Sequence, residues 1–536
     1  MRKVPVLIVG GGPVGLALAG ELGWRGVSCL LVEQTDGSIV TPKMNEVNVR
    51  TMEFCRRWGI ADKVHNCPFP RDHARDAVFV TSFTGYELGR IPRPAVVGSK
   101  PEQWSPMRLQ TCSQMWFDPI LRDFALSSKG VELRYRTRLE NFKDLGTGVT
   151  CEIVDLETGK RETVEAGYLV GCDGATSAIR NELGIGLTGQ GVLGHPVHLF
   201  FRAPDFLKRV GKAEGTFFLA IDKGGLWANI RVVDPVNAMW RLMMIDSDGK
   251  QTPESIDRNA LIERAVGKPF SVEWVGCSIW TRRSLVAEQY SKGRVFLAGD
   301  AVHQLSPTGA MGMNTGIGDV VDLGWKLAAV AQGWGGPNLL ESYSVERQPI
   351  GARAINHTSE FHLSHGKFHD GFGTIEDDTE EGRTFRAEIG PELVREVGRM
   401  FRTIGLQLGY RYDDSPIIVP DGTEAVPDDP ETFIASARPG ARAPHVALAD
   451  GRSMLDLYAR DYVLIRFGYK APEGSEMVEA AKSRRVPIVV QRIDDAEAAS
   501  IYGASLVLVR PDGHVAWRGD SVPNNPVEII DRVRGG

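Results

Sequence analysis

The chain has 536 residues, of which 42% are hydrophobic and 24% charged, and its formal net charge is −6. This length predicts roughly two to four domains, and the composition excludes collagen-like, disordered and small disulfide-stapled proteins. The acidic balance argues against nucleic-acid binding, the lack of an apolar run of about 18 residues argues against a membrane span, and seven scattered cysteines favour a reducing compartment, the cytoplasm.

The first motif is a glycine turn between a predicted strand and a predicted helix. It carries Gly10, Gly12 and Gly15 in the spacing G-x-G-x-x-G, and it splits the apolar run that a signal peptide would need. A second predicted strand ends at Glu33. Such glycines let backbone amides approach a pyrophosphate at a helix N-terminus, and the acidic residue accepts hydrogen bonds from a ribose. The pattern predicts a dinucleotide site, and the alternative is the same βαβ unit without a nucleotide.

The same glycine spacing occurs twice more, at 184–189 and 189–194. There a helix-like stretch comes before the glycines and a strand-like stretch comes after them. A glycine motif without a preceding strand and a following helix is weak evidence for nucleotide binding. We therefore interpret both copies as loop.

The second motif, at 293–330, indicates which dinucleotide is bound. A predicted strand ends at Asp300, a glycine-rich loop follows, and a long helix is predicted from about Met313. A carboxylate at a strand end can bind the hydroxyl groups of a sugar or a ribityl chain. The amides of Gly312, Met313 and Asn314 can face a developing negative charge, here on a reduced flavin ring.

Three separated stretches carry a family resemblance. The chain resembles the FAD-dependent aromatic hydroxylases, single-component monooxygenases of the para-hydroxybenzoate hydroxylase and phenol hydroxylase type, in GGGPVG near its start, in YLVGCDGATSAIR (168–180) and in GDAVHQLSPTGAMGMNTG (299–316). The stretches RTMEFCRRWGI (50–60) and ESYSVERQP (341–349) also match. The matching stretches reach from the N-terminus to about residue 350.

The resemblance implies a set of residues that bind FAD. Position by position they are Gly10, Gly12, Pro13, Val14, Gly15, Glu33, Gln34, Lys43, Arg50, Gln114, Asp173, Gly174, Gly299, Asp300, Pro307, Gly312, Met313 and Asn314. In the family, the motif of Asp173 and Gly174 serves both FAD and NAD(P)H.

The chain departs from the family pattern in two places. Lys43 replaces a common arginine and keeps the charge without the bidentate fork, and Ser306 and Ala310 replace a common Pro and Gly.

The resemblance also implies the chemistry. Tightly but non-covalently bound FAD would be reduced by NAD(P)H as co-substrate, O2 would add at flavin C4a, and the terminal oxygen of this hydroperoxide would pass to an aromatic, in particular a phenolic, small molecule. The sequence does not distinguish NADH from NADPH. Two other hypotheses stay open, a flavin-dependent dehydrogenase or reductase and a non-catalytic FAD-bound sensor module. The Trp-x-Trp pair of flavin-dependent halogenases is absent.

The substrate-contacting residues are harder to identify. Asn45 lies where phenol-type relatives carry a polar residue near the flavin, and Pro307 lies in the loop beside the flavin ring. The segment 225–245 predicts paired strands of a substrate-domain sheet. Its side chains that we expect in the pocket are Trp227, Asn229, Arg231 and Arg241. An arginine there suits an anionic or phenolic oxygen, and the alternative is a solvated sheet face.

The predicted fold class is α/β, with interleaved domains. We expect a Rossmann-like FAD-binding domain at 1–70, 100–185 and 275–350, an α+β substrate-binding domain with a mostly antiparallel sheet at 71–99 and 186–274, a helical segment and linker at 351–438, and a thioredoxin-like α/β domain at 439–536. The last cysteine is Cys277, so the C-terminal domain cannot exchange disulfides and a role in packing or oligomer contact is expected.

The expected partners are an aromatic small-molecule substrate, O2 and NAD(P)H, with a homodimer as the candidate oligomer. Neither nucleic acid nor membrane is expected. The histidines of HTSEFHLSHGKFH (357–369) cluster near Glu360, but a metal site needs a closed ligand set, so no metal is predicted. His303 matches a family histidine for which a structural role near the flavin is expected.

Overall fold

The computed structural model describes residues 2–93, 95, 97, 102–247, 249–368 and 372–536. The end of the predicted segment 71–99, the start of the segment 100–185 and His369 therefore lie outside the described residues. Up to residue 171 the elements are β1 (Arg2–Val9), α1 (Pro13–Trp24), β2 (Cys29–Val32), β3 (Glu46–Val47), α2 (Val49–Arg57), α3 (Ala61–His65), β4 (Ala77–Val80), β5 (Glu87–Ile91), β6 (Gln110–Thr111), α4 (Gln114–Leu126), β7 (Val131–Arg134), β8 (Thr137–Asp144), β9 (Val149–Asp155) and β10 (Arg161–Gly171).

The remaining elements complete two further sheets and a helical region. They are α5 (Ala178–Glu182), β11 (Leu187–Gly194), β12 (Val197–Arg202), α6 (Phe206–Val210), β13 (Phe217–Asp222), β14 (Gly225–Asp234), β15 (Met239–Met244), α7 (Arg258–Val266), β16 (Glu273–Ile279), β17 (Arg282–Ala287), β18 (Ser291–Lys292), β19 (Val295–Leu297), β20 (His303–Gln304), α8 (Gly312–Ala331), α9 (Ser342–Ser364), α10 (Glu380–Glu396) and α11 (Ile404–Leu408). The C-terminal elements are β21 (Tyr462–Phe467), α12 (Ser475–Ser483), β22 (Ile488–Ile493), α13 (Ala496–Tyr502), β23 (Leu506–Val509), β24 (Val515–Gly519) and α14 (Pro526–Val533).

The first sheet has the strand order β18-β19-β10-β1-β2-β7, with β8 and β9 added beside β10. From β19 to β7 all neighbours are parallel, and helices α1 and α8 pack against each other over it. Central strand residues such as Leu7, Leu30 and Leu169 are fully buried, as expected for a parallel sheet covered on both faces. The Rossmann-like part of the prediction is confirmed.

The second sheet has the order β16-β12-β15-β14-β13-β4-β5, and all its neighbours except β13 and β4 are antiparallel. The predicted pair of strands within 225–245 is present as β14 and β15. One face carries a large apolar cluster with α6 and α7, which includes Phe206, Phe218 and Trp240. The α+β substrate-domain fold is thus the observed one, whereas the exact domain boundaries stay a prediction.

From Leu187 onwards, the glycine copies at 184–189 and 189–194 form a strand, which corrects the loop interpretation for that part. This strand is β11, which pairs with β17 through two irregularities, at Gly189/Gly191 and Val192/Gly194. A Cβ atom at Gly189 would lie 2.2 Å from the carbonyl oxygen of Ser284. Glycine is needed here because the two backbones approach too closely for a side chain, and its low strand propensity concealed the strand.

The C-terminal domain has the element order βαβαββα, from β21 to α14. Its sheet order is β22-β21-β23-β24, in which only β21 and β22 are parallel, an arrangement of the thioredoxin type. No helix of the described part of the chain is both long and apolar enough to cross a lipid bilayer.

Candidate functional site

The carboxyl ends of four parallel strands lie side by side in the first sheet. Val9 pairs with Val32 and Gly171, and Gly171 pairs with Leu297. The segments that follow these strands carry the glycine turn, Glu33, Asp173 and Asp300, so the fold brings three distant motifs to one edge. In open α/β sheets, ligands bind at this edge.

The glycine turn has one open side and one packed side. A Cβ atom at Gly15 would lie 1.9 Å from the carbonyl oxygen of Gly10, and one at Gly10 would lie 2.3 Å from that of Cys172. At Gly12, by contrast, an added Cβ atom would meet no atom of the described residues within 4 Å. Gly12 caps α1, which begins at Pro13. The open space before this helix N-terminus fits a pyrophosphate.

Glu33 lies beside the turn with its carboxylate already fixed. Its Oε2 atom accepts a hydrogen bond from the Gly11 amide at 2.7 Å, and its Oε1 atom accepts one from the Thr35 amide at 2.7 Å. The side chain stays partly accessible, and Gln34 next to it is exposed. The side chains of Glu33 and Gln34 therefore both remain accessible to a ribose.

Asp173 and Gly174 follow β10. The Oδ2 atom of Asp173 accepts a hydrogen bond from the Ile179 amide at 3.2 Å, whereas its Oδ1 atom is buried without a partner among the described residues. Gly174 has a φ of 82°, and no described atom lies within 4 Å of its Cβ direction. A buried acceptor without a partner, next to open space, fits a ligand hydroxyl group that would donate a hydrogen bond to it.

Asp300 follows β19 at the same edge of the first sheet. An added Cβ atom at Gly312 would lie 3.9 Å from its Oδ1 atom, so the carboxylate faces the first turn of α8. The side chain of Asp300 is exposed, so its carboxylate is accessible to a ligand. Gly299, just before Asp300, has a φ of 66° and lies against Val14 in the first turn of α1.

A buried layer behind Asp300 was missed by the sequence analysis. The Asp319 carboxylate accepts hydrogen bonds from the Gly299 amide at 3.1 Å and from Arg347 Nε at 2.9 Å, and it lies 2.8 Å from His303 Nε2. Burial raises the pKa of Asp319, but the charges of His303 and Arg347 outweigh this and hold it below its ordinary value. Asp319 thus holds the backbone just before Asp300, and the buried His303 belongs to the same layer. A structural role of His303 near the flavin stays a prediction.

The loop before α8 and its first turn are held by Asn314. Its Oδ1 atom accepts from the Asn48 amide at 3.0 Å, and its Nδ2 atom donates to the carbonyls of Glu46 at 3.1 Å and Ala310 at 2.8 Å. Pro307 begins a turn closed by the Ala310 amide at 3.1 Å. The partly buried Met313 packs against the core. The side chain of Asn314 is therefore a structural link, and its backbone amide is what remains for a flavin.

Gln114 connects the segment around Lys43 to helix α4. Its Oε1 atom accepts from the Lys43 amide at 3.0 Å, and its Nε2 atom donates to Asp118 Oδ2 at 3.0 Å. Asn45 in the same segment is buried, and its Oδ1 atom has no partner in the described part of the chain. A free buried acceptor makes Asn45 a candidate contact for a bound group.

The guanidinium of Arg50 has three hydrogen-bond partners. It donates to Glu53 Oε2 at 2.9 Å, to Tyr410 Oη at 3.3 Å and to the carbonyl of Asp512 at 3.2 Å. The contact of Arg50 with FAD stays a prediction. The guanidinium that would make this contact already donates the three hydrogen bonds given above.

Two arginines lie side by side on the second face of the substrate sheet. Arg231 and Arg241 are register partners on β14 and β15, and Arg241 Nη2 donates to Asn229 Oδ1 at 3.1 Å. Both are buried, and Nε of each has no partner among the described residues. Arg231 also lies 4.0 Å from Glu46, which directly follows Asn45.

The charge around this pair is predominantly positive. Burial disfavours the Glu46 carboxylate, but the charges of Arg93, Arg231 and Arg75 together hold its pKa below its ordinary value. Burial, and then the like charge of Arg231, lower the pKa of Arg241 to about 9. A bound anion would relieve this repulsion. Glu46 was missed by the sequence analysis because no motif marks it.

Trp227 does not share this face, which corrects its predicted place in the pocket. It belongs to the apolar cluster on the α7 side, where the guanidinium of Arg264 lies 4.0 Å from its ring. A β-bulge between Ala220 and Ile221 shifts the strand alternation at this point. A bulge reverses the face of the residues beside it, and the sequence does not show it.

The histidine cluster is divided among separate contacts. His357 lies 3.7 Å from Glu360, and His362 lies 3.0 Å from Arg282 Nη1. Within the described ranges, no group of three or more His, Cys, Asp or Glu side chains is arranged to hold a metal ion.

Two family models match the chain. One, described as an FAD binding domain, matches residues 3–358, and the other, described as the C-terminal part of an aromatic-ring hydroxylase, matches residues 436–534. Similar proteins include the FAD-dependent monooxygenase apdD of Emericella nidulans, with 35% identity over 98% of this chain and 89% of that protein. A putative polyketide hydroxylase of Streptomyces halstedii has 33% identity over 98% of this chain and 96% of that protein.

Solved structures agree over the whole chain. RebC soaked with chromopyrrolic acid has a TM-score of 0.92 and 37% identity, covering 100% of this chain and 99% of that one. Aklavinone-11 hydroxylase in a ternary complex with FAD and aklavinone has a TM-score of 0.82 and 29% identity, covering 100% of both chains.

Proposed function

The chain belongs to the family of FAD-dependent aromatic-ring hydroxylases, and from this premise we propose that it hydroxylates an aromatic small molecule that carries an anionic oxygen, with NAD(P)H and O2 as co-substrates. It is an FAD-dependent monooxygenase. The observation that carries the substrate class is the buried pair Arg231 and Arg241, whose Nε atoms have no partner among the described residues. Relatives named as monooxygenases favour this function over a dehydrogenase, a reductase or a sensor module.

Different residues of the cleft would contact different parts of FAD. When bound, FAD supplies the redox chemistry that activates O2. The open N-terminus of α1 at Gly12 would face the pyrophosphate, Glu33 would accept from a ribose, and Asp300 would accept from the ribityl chain. The first amides of α8 would face the flavin ring. Asn45 and Asp173 each offer a buried acceptor that lacks a partner among the described residues.

The arginine pair would bind and orient the substrate. Arg241 is held by Asn229, and Arg231 is drawn towards Glu46 on the cofactor side, so the anion would lie between the substrate sheet and β3. A phenolate or carboxylate there satisfies the free Nε–H groups through charge-assisted hydrogen bonds. The neighbouring side chains are buried, which keeps water from the reacting atoms. The solved relative RebC was soaked with an acid, which agrees with this substrate class.

The variant Arg241→Met tests the substrate class. Loss of a charge-assisted hydrogen bond should raise KM for an aromatic acid or phenol by about tenfold to a hundredfold. A neutral analogue without the anionic oxygen should be unaffected. Arg264→Met is the matched control, because Arg264 is a partly exposed arginine stacked on Trp227 on the opposite face. Equal KM values for the anionic substrate in Arg241→Met and wild type would contradict the assignment.

The reaction class has its own test. NAD(P)H consumption is measured with a panel of phenols and aromatic acids, and the product is analysed after reaction under 18O2. Monooxygenation places one labelled oxygen atom in the product, whereas a dehydrogenase or reductase places none. A sensor module would consume no NAD(P)H with any compound of the panel.

We also propose that the enzyme works as a homodimer in the cytoplasm. The seven cysteines are all free thiols, which supports a reducing compartment. The edge strand β22 exposes Val489 and Val490, with 40% and 38% of their surfaces accessible, and an exposed apolar edge favours pairing with another chain. Sedimentation equilibrium of the FAD-loaded protein tests the dimer.

A further inference from the structure

The C-terminal domain inserts a tight turn into the cofactor-binding domain. The turn 510–514 joins β23 to β24, and the side chains of Arg510, Asp512 and His514 are almost fully buried. Its backbone contacts α2 directly. The carbonyl of Pro511 accepts from Arg57 Nη1 at 2.9 Å, and the carbonyl of Asp512 accepts from Arg50 Nη2 at 3.2 Å.

A buried ion-pair network continues from this turn into α2. Glu53 accepts from Arg50 Nη1 at 2.9 Å and from Ser105 Oγ at 2.6 Å, both within the cofactor-binding part of the chain. From the C-terminal domain, Arg442 makes a bidentate contact, with Nε at 3.0 Å from Glu53 Oε2 and Nη2 bonded to Oε1. Burial disfavours the Glu53 carboxylate, but the charges of Arg442 and Arg50 keep its pKa below the ordinary value.

The N-terminal end of α2 is continuous with the candidate flavin site. Asn48 caps the helix, with its Oδ1 atom accepting from the Thr51 amide at 2.8 Å, and its own amide donates to Asn314 at the start of α8. One residue before this cap lies β3, which carries Glu46 and is preceded by Asn45. A tilt or shift of α2 would therefore move both the segment with the free Asn45 acceptor and the link to α8.

We propose that Arg442 is a positioning residue for the flavin site: held in the C-terminal domain, it fixes α2 through Glu53 and Arg50, and α2 in turn sets the place of the segment 45–48 against the start of α8. Arg50 then serves as part of this link. The C-terminal domain, which has no cysteine, acts through this contact. The inference rests on the proposed FAD cleft.

The bonds around Glu53 show why a change at Arg442 should reach the cleft. Without Arg442, the buried carboxylate keeps one cation, Arg50, which also donates to Tyr410 and to the carbonyl of Asp512. Removing one partner leaves a buried charge incompletely compensated, which is strongly destabilising. A movement of α2 that brings Glu53 closer to water would relieve this cost. A displacement of about 1 Å in groups that position a reaction can cost about a hundredfold in rate.

The test compares Arg442→Met, Arg442→Lys and a control, Arg484→Met. Arg484 makes an equally bidentate pair, with Asp531 at 2.8 and 2.9 Å, but this pair lies within the C-terminal domain. The readouts are the Kd for FAD from flavin fluorescence, the visible spectrum of bound FAD, and the H2O2 released per NAD(P)H consumed with substrate. Thermal midpoints are recorded for all variants.

We expect Arg442→Met to weaken FAD binding and to raise the H2O2 share by about tenfold or more, with a shifted flavin spectrum. Arg442→Lys keeps the charge and should recover part of each effect, and Arg484→Met should change none of the three. If Arg442→Met does not fold, Glu53→Gln removes the same charge contact and should give the same flavin readouts. Wild-type values in the folded Arg442 or Glu53 variants would overturn the proposal. If wild-type protein itself fails to bind FAD, the proposed function falls instead.

Discussion

Asp118 carries a carboxylate whose burial should make stability depend on pH. It lies on α4, buried beneath Gln114, which donates to its Oδ2 atom at 3.0 Å, and its Oδ1 atom has no partner among the described residues. Burial raises the pKa of Asp118 to about 7, and the hydrogen bond from Gln114 opposes this rise. The folded protein therefore holds the proton more tightly than the unfolded chain does.

The sign and the size of the effect follow from this pKa. Because the folded-state pKa is raised, the contribution of Asp118 to stability is fully present below about pH 4 and is lost as the pH rises towards about 7. At 1.36 kcal/mol per pH unit, the rise from 3.8 to about 7 corresponds to a cost of about 4 kcal/mol above pH 7. The variant Asp118→Asn, which keeps the shape and has no charge, should escape this cost.

Urea unfolding of wild type and Asp118→Asn with saturating FAD, at pH 5 and pH 8, measures the effect. The stability of the variant relative to wild type should increase by about 3 kcal/mol between these pH values, because about two pH units of the titration lie within this interval. Other titrating groups cancel in the difference between the two proteins. A difference that does not change with pH, or a variant less stable than wild type at pH 8, would refute the reasoning.

Two further predictions concern the cleft itself. Gly12→Ala should leave the thermal midpoint of the apoprotein unchanged but weaken FAD binding by about tenfold, because the added Cβ atom meets no described atom and enters the cofactor space. Gly15→Ala should instead destabilise the apoprotein itself, because its Cβ atom would lie 1.9 Å from the carbonyl oxygen of Gly10. Asp300→Asn should weaken FAD binding by about tenfold without lowering apoprotein stability, since the side chain of Asp300 is exposed. Calorimetry and FAD titration check both, and an unchanged Kd for FAD in Gly12→Ala or Asp300→Asn would contradict the cleft assignment.

Local sequence patterns determined the elements of the cofactor cleft. Apolar runs that end in glycines or acids predicted β1, β2 and β19, the family resemblance marked Asp173 after β10, and parallel pairing aligns the ends of these strands. That is why Glu33, Asp173 and Asp300 meet although they are far apart in the chain. Gly10 and Gly15 were readable because the close approach of other backbone atoms excludes a side chain there.

Tertiary structure alone decided what depends on neighbours distant in sequence. Three features arise from packing between segments that are far apart in the chain and share no repeating sequence pattern. They are the β-bulge that turns Trp227 away from Arg231, the strand formed by the glycines at 187–194, and the link from Arg50 to Arg442 through Glu53. Side-chain direction and ion pairing depend on three-dimensional neighbours, and a motif records only the backbone requirements of its own segment.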